Sequence, residues 1–261
     1  MTGLHVEAAR RAASGLSNDP RIAGVAAVGS WLGAMDEFSD LDLIVAVYPE
    51  HEEAVRAERM AIAASLGPLL AAFTGEHVGE PRLLICLYGP PLLHVDLKFV
   101  TPGDLARRVE EPAVLWQRDG ALDHALAGSR AEYPQPDPQW IEDRFWIWVH
   151  YAALKIGRGE LFEAIDFLGY VRGRVLGPLL LAGAGRTPNG VRRIEQWVPG
   201  AVDALGQTIA THDRADCGRA VRAAVALYRD LRADLPITRR SEAEAEAVRF
   251  LDALLARDPV G

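Results

Sequence analysis

The chain has 261 residues, 49% of them hydrophobic and 25% charged, with a formal net charge of -8. That balance is ordinary for a soluble globular protein of one large or two smaller domains. Its acidity argues against a nucleic-acid partner, since polynucleotide binding calls for a basic surface, and favours a small, even cationic, ligand. Cys86 and Cys217 read as buried thiols rather than a disulfide framework or metal cluster. No stretch approaches the ~20 apolar residues of a membrane span, and the N-terminus lacks an apolar signal core, so a cytoplasmic location without membrane contact is expected.

Residues 4–17 carry the pattern of an amphipathic helix, closed near Gly15 and Asn18-Asp19-Pro20. Residues 22–28 and 41–47 predict two strands, and the alanine-rich segment 50–66 a helix stopped by Gly67-Pro68. Residues 82–88 and 92–100 predict two strands around Gly89-Pro90-Pro91, which resembles a hairpin. Thr101 then caps a short helix through Val109, with Asp104 three residues on, and residues 113–116 add an edge strand. Pro134, Pro136 and Pro138 stiffen a linker. Beyond it the pattern is helical over 140–156, 160–181, 191–205, 214–235 and 241–257, the last opening with the capping box Ser241-Glu242-Ala243-Glu244. The expected fold class is α+β. A domain over residues 1–133, with a small mixed sheet and flanking helices, precedes an all-α helical-bundle domain over 134–261.

The chemistry concentrates between Val28 and Val45. Gly29-Ser30 is followed, ten positions after Ser30, by Asp40-Leu41-Asp42 inside an apolar run. On a strand Asp40 and Asp42 share a face while Leu41 and Leu43 take the other. Two adjacent carboxylates are costly unless a cation satisfies them, and hard divalent ions do so through oxygen ligation. Gly29 permits close backbone approach to a ligand, and Ser30 offers a hydroxyl and an N–H at the start of a predicted helix, a favourable place for phosphate. In L-L-H-V-D-L-K-F-V, His94, Asp96 and Lys98 share one strand face. If that strand lies beside the first carboxylate strand, Asp40, Asp42 and Asp96 converge and can hold two divalent ions roughly 3.5–4 Å apart. Asp96 is then also a candidate general base, and Ser39 a weaker candidate for a phosphate or metal-water contact.

Val28-Gly29-Ser30, the Asp40-Leu41-Asp42 triplet and Asp96 resemble, residue by residue, the pattern of the polymerase-β-like nucleotidyltransferase superfamily. The resemblance covers roughly the first half of the chain. It implies Mg²⁺ held by the three aspartates and transfer of a nucleoside monophosphate from a triphosphate such as ATP to a hydroxyl, with release of pyrophosphate. In the second half, Phe145-Trp146, Tyr151, Lys155, Arg158, Glu160, Ala164-Ile165-Asp166 and Arg172 or Arg174 are similar to the helical segment of aminoglycoside 6-adenylyltransferases, the streptomycin-modifying type. That similarity implies a small hydroxylated acceptor, an antibiotic-resistance role, and a homodimer as one admissible state, since some relatives complete their sites across one.

A triphosphate needs cationic help beyond Mg²⁺, which makes Lys155 a candidate phosphate contact. Between Glu132 and Asp166 seven acids stand against three bases. An acidic helix face carrying Glu163 and Asp166 would attract a polycationic acceptor. Several features read as structure instead. The aromatics Phe145, Trp146, Trp148 and Tyr151 lie at helical spacing and read as core, with room for one Trp at a cleft. The glycine-rich loop 183–190 follows a helix rather than a strand and reads as a turn. Arg144 and His150 form an R-x5-H pattern that resembles the HEPN ribonuclease motif. That leaves open an alternative: a regulatory nucleotidyltransferase of toxin–antitoxin type acting on or binding a protein or RNA partner.

Overall fold

Short apolar and alternating runs, with Gly and Pro as punctuation, fold the first half of the chain around a sheet. The computed structural model describes residues 3–33 and 35–257. The chain divides into two units, Met1–Tyr133 and Pro134–Gly261.

In the first unit, helix α1 (Gly3–Leu16) leads into strand β1 (Ile22–Val28), and β2 (Leu41–Val47) is followed by α2 (Glu52–Ser65). Three further strands come next, β3 (Leu69–Gly75), β4 (Glu80–Tyr88) and β5 (Leu93–Val100), then β6 (Ala113–Gln117) and a short helix α3 (Ala121–Leu126). The sheet order is β3-β4-β5-β2-β1-β6. Among the described residues only β2 and β5 pair in parallel; every other neighbouring pair is antiparallel. One face carries Leu41, Leu43, Val45, Val95, Leu97 and Phe99 into a core with Ala9, Ala12, Ala13 and Leu16 of α1 and Val55 and Ala63 of α2. On the other face a smaller cluster of Ala23, Ala26, Ala46, Val100, Leu105 and Leu122 covers the β1 end. Burial on both faces explains why β1 reads I-A-G-V-A-A-V, without alternation.

The second unit is helical: α4 (Pro138–Gly157), α5 (Leu161–Val171), α6 (Gly177–Gly183), α7 (Ile194–Trp197), α8 (Val202–Gly206), α9 (Arg214–Leu231) and α10 (Ser241–Leu255). Phe145, Trp146 and Tyr228 are among its largest buried side chains, so the first two of the expected core aromatics are core, whereas Trp148 is only partly buried against it and Tyr151 is exposed. Glu142 is fully buried yet satisfied. It accepts from Trp146 Nε1 (3.0 Å), Tyr228 Oη (2.8 Å), Arg232 Nη1 (2.6 Å) and the Arg240 N–H (2.8 Å). Burial pushes its carboxyl up, and these four donors outweigh that and hold it below its ordinary value.

Several local expectations fail for identifiable reasons. The single helix expected over 191–205 is α7, a 3₁₀ turn at Pro199–Ala201 and α8, because Pro199 can neither donate nor continue a helix. The segment 160–181 passes through a π-type turn at Arg172–Leu176 just ahead of Pro178, where the i→i−4 ladder is interrupted. The capping box at Ser241 does not form. Arg240 is the N-cap without a side-chain bond, and Glu244 is drawn instead to Arg229 and Arg232. The Thr101–Asp104 box does form, on a 3₁₀ turn at Pro102–Arg107. β3 and α3 are two elements that no expectation from the sequence covers.

Candidate active site

The parallel register of β2 and β5 sets Asp42 directly opposite Asp96. With the leucines and valines of both strands turned into the core, Asp42, Asp96 and Lys98 stand on the opposite face, half-buried. Asp40 lies one residue ahead of β2, also half-buried. Its charge reaches Asp96. Burial pushes the Asp96 carboxyl above its ordinary value, the neighbouring His94 opposes this, and Asp40 adds to it. His94 Nε2 lies 2.9 Å from Asp96 Oδ1, within hydrogen-bond reach.

Gly29 and Ser30 open a four-residue 3₁₀ turn, Gly29–Leu32, rather than the helix expected there. Gly29 has φ +62°, and a Cβ on it would fall 2.2 Å from Asp42 Oδ2. The turn therefore packs its bare backbone against the carboxylate, which only glycine allows. Ser30 Oγ donates to the Asp40 carbonyl at 3.2 Å, tying the turn to the acidic strand. Ser39 is engaged locally. Its hydroxyl donates to Asp36 Oδ1 and accepts from the Asp36 N–H, both at 3.0 Å.

A cleft of about 500 Å³ lies over this face, lined among others by Asp42, Asp96, Lys98, Glu80, Arg82 and Glu110. Glu80, Arg82 and Glu110 were not singled out by the sequence. Glu80 Oε1 lies 2.8 Å from Arg82 Nε, and Glu80 Oε2 2.8 Å from Lys98 Nζ. Its bond to Arg82, more than any other influence, holds the Glu80 carboxyl down at about 2. Arg82 also reaches Asp104, at 3.3 Å. Glu110 Oε1 accepts from the Gly29 N–H at 3.1 Å, from 81 residues further along the chain. No local pattern marks Glu110; only the return of the chain toward β6 brings it there.

The donor chemistry here suits a hard divalent cation: two carboxylates in register and a third one residue off the strand end. Among the described residues, however, no group of three or more His, Cys, Asp or Glu side chains could hold a metal ion as arranged. Asp42 and Asp96 thus share a face, with Asp40 one residue off the strand end, without forming a finished coordination shell, and Asp96 is turned toward His94.

The remaining predicted site residues belong to the helical unit. Lys155 Nζ lies 2.8 Å from both Glu160 Oε2 and Glu163 Oε1, and 5.1 Å from the centre of the Tyr151 ring. Glu163 also accepts the Tyr151 hydroxyl. Arg158 is exposed, 3.9 Å from Glu160, and Asp166 is exposed on α5. Arg144 lies over the Trp140 ring at 4.2 Å, while His150 meets the Phe250 ring at 4.7 Å, so different neighbours hold the two. Among the described residues no helix is long and apolar enough to cross a membrane.

No known family's profile matches the chain, and no curated protein does. Among solved structures, the chain is similar to an aminoglycoside 6-adenyltransferase from Bacillus subtilis. The identity is 15%, over 95% of this chain and 99% of that one, with a TM-score of 0.44. A nucleotidyltransferase-like protein from Exiguobacterium sibiricum matches at 13% identity over 94% of this chain and 78% of that one, with a TM-score of 0.38. Overlaps of this size speak neither to activity nor to substrate, so both have to come from the site.

Proposed function

We propose that the chain is a nucleotidyltransferase that moves AMP from ATP to a hydroxyl of a small, aminoglycoside-like acceptor and releases pyrophosphate. One observation carries the reading: Asp42 and Asp96 face each other across β2 and β5 while the positive-φ Gly29 turn abuts Asp42. A backbone turn next to paired carboxylates suits a polyphosphate and the cation that accompanies it.

In this reaction the acceptor oxygen forms a bond to the α-phosphorus, and the bond between that phosphorus and the oxygen leading to the β-phosphate breaks. The hydroxyl proton passes to Asp96, a carboxylate on the same face as Asp42. Mg²⁺, held by Asp40, Asp42 and Asp96, would neutralise charge developing on the phosphates. The Gly29-Ser30 turn orients the phosphate chain, with Ser39 a lesser contributor. Lys155 is proposed as a further phosphate contact, one that must exchange Glu160 and Glu163 for the nucleotide. Glu163 and Asp166 are proposed to attract a cationic acceptor.

The test is incubation with ATP, Mg²⁺ and a panel of aminoglycosides and lincosamides, following pyrophosphate release and acceptor mass. The Asp40→Ala and Asp42→Ala proteins should turn over about 10³-fold more slowly, roughly 4 kcal/mol of transition-state stabilisation. Near-normal rates in both variants would refute the metal assignment. Absence of any nucleotidylated product, with ATP still bound, would move the acceptor to an endogenous metabolite or a protein.

A further inference from the structure

Resting on the nucleotidyltransferase reading of this cleft, we infer that the Glu110 carboxylate is a built-in occupant of the phosphate cradle, which an incoming polyphosphate must displace. The Gly29 N–H is a backbone donor beside Asp42, at the place assigned to the phosphates, and Glu110 Oε1 already takes it at 3.1 Å. An anion and a carboxylate cannot both accept that one proton, and their charges repel at this separation.

The surroundings make the contact a switch of one side chain rather than of a loop. Arg108, two residues earlier, is almost fully buried at its side chain. It donates to the Leu105 carbonyl (3.1 Å), to Ser129 Oγ (2.7 Å) and to the Ser129 carbonyl (2.8 Å). Glu111, the next residue, is fixed by Arg108 and by the Ala131 N–H at 2.8 Å. With the side chains of Arg108 and Glu111 held on either side, Glu110 leaves the cradle by changing rotamer. The cleft cations follow the same logic. Arg82 and Lys98 both rest on Glu80, so these two cleft cations are also compensated internally. The result is a site that discriminates by charge: a neutral or singly charged ligand gains little by evicting Glu110, and a polyphosphate gains several bonds.

Titration calorimetry with ATP–Mg²⁺ and with pyrophosphate, on the full chain and its Glu110→Gln and Glu110→Ala variants, decides the matter. Eviction predicts that Glu110→Ala binds both ligands about tenfold more tightly than the unmutated chain, since a charged acceptor no longer competes. Glu110→Gln, which keeps an acceptor but no charge, should fall between them. Adding pyrophosphate to the unmutated chain should also shift the Gly29 amide resonance, identified by comparison with Glu110→Ala. If Glu110 is instead a strut that shapes the turn, Glu110→Ala binds more weakly and Glu110→Gln restores affinity, which overturns the inference, as does equal binding by all three. If none of the three binds either ligand, the nucleotidyltransferase reading itself fails.

Discussion

Replacing Gly29 by alanine separates stability from chemistry in this site. The backbone there has φ +62°, a conformation that costs an L-residue roughly 1–2 kcal/mol. The new Cβ would fall 2.2 Å from Asp42 Oδ2 and 3.1 Å from its Cγ. A relaxed carbon–oxygen contact requires the Asp42 carboxylate, at the end of its side chain, to retreat by about 1 Å. Its consequence falls on catalysis, where a displacement of about 1 Å costs on the order of 10²-fold. The Gly29→Ala protein should therefore unfold a few degrees lower, in line with ~1–2 kcal/mol, and turn over about 10²-fold more slowly. Thermal melts followed by circular dichroism and pyrophosphate-release kinetics read the two quantities separately. A variant that melts lower but turns over normally would show that the contact between Gly29 and Asp42 has no part in the reaction.

Two further outcomes follow from the charges. Asp96 titrates above its ordinary value in the folded state, mainly through burial, so its ionisation costs stability at neutral pH. Asp96→Asn should melt higher than the unmutated chain at pH 7 while losing activity, and the gain should vanish once pH falls below 3.8, where the carboxyl is protonated in both states. A lower melting point at pH 7 would refute the burial argument. In the helical unit, Glu142→Ala leaves Arg232 buried without one of its carboxylate partners. Urea unfolding should show a loss of about 3–5 kcal/mol, the range for breaking a buried ion pair. A loss below 1 kcal/mol would mean that water or Glu244 replaces the missing partner.

What the sequence by itself determined is what short-range periodicity can encode. Alternation along L-D-L-I-V-A-V and L-H-V-D-L-K-F-V separates a buried face from an acidic one, because successive strand residues must point to opposite sides. The same regularity made β2 and β5 legible, apolar runs bounded by turn residues marked β1 and β4, and helical spacing identified the core aromatics Phe145 and Trp146. Where local rules competed with tertiary partners they failed. Glu244 abandons its cap for Arg232, and β3 and α3, weakly patterned, form only against the elements they cover. Tertiary structure alone decided the β2–β5 register that sets Asp42 against Asp96, the press of Gly29 on Asp42, and the arrival of Glu110 at the Gly29 amide. None of these leaves a mark in a window of a few residues. Each joins segments far apart in the chain, and what aligns them is the burial of the opposite sheet face, which fixes register because a one-residue slip would turn every leucine outward.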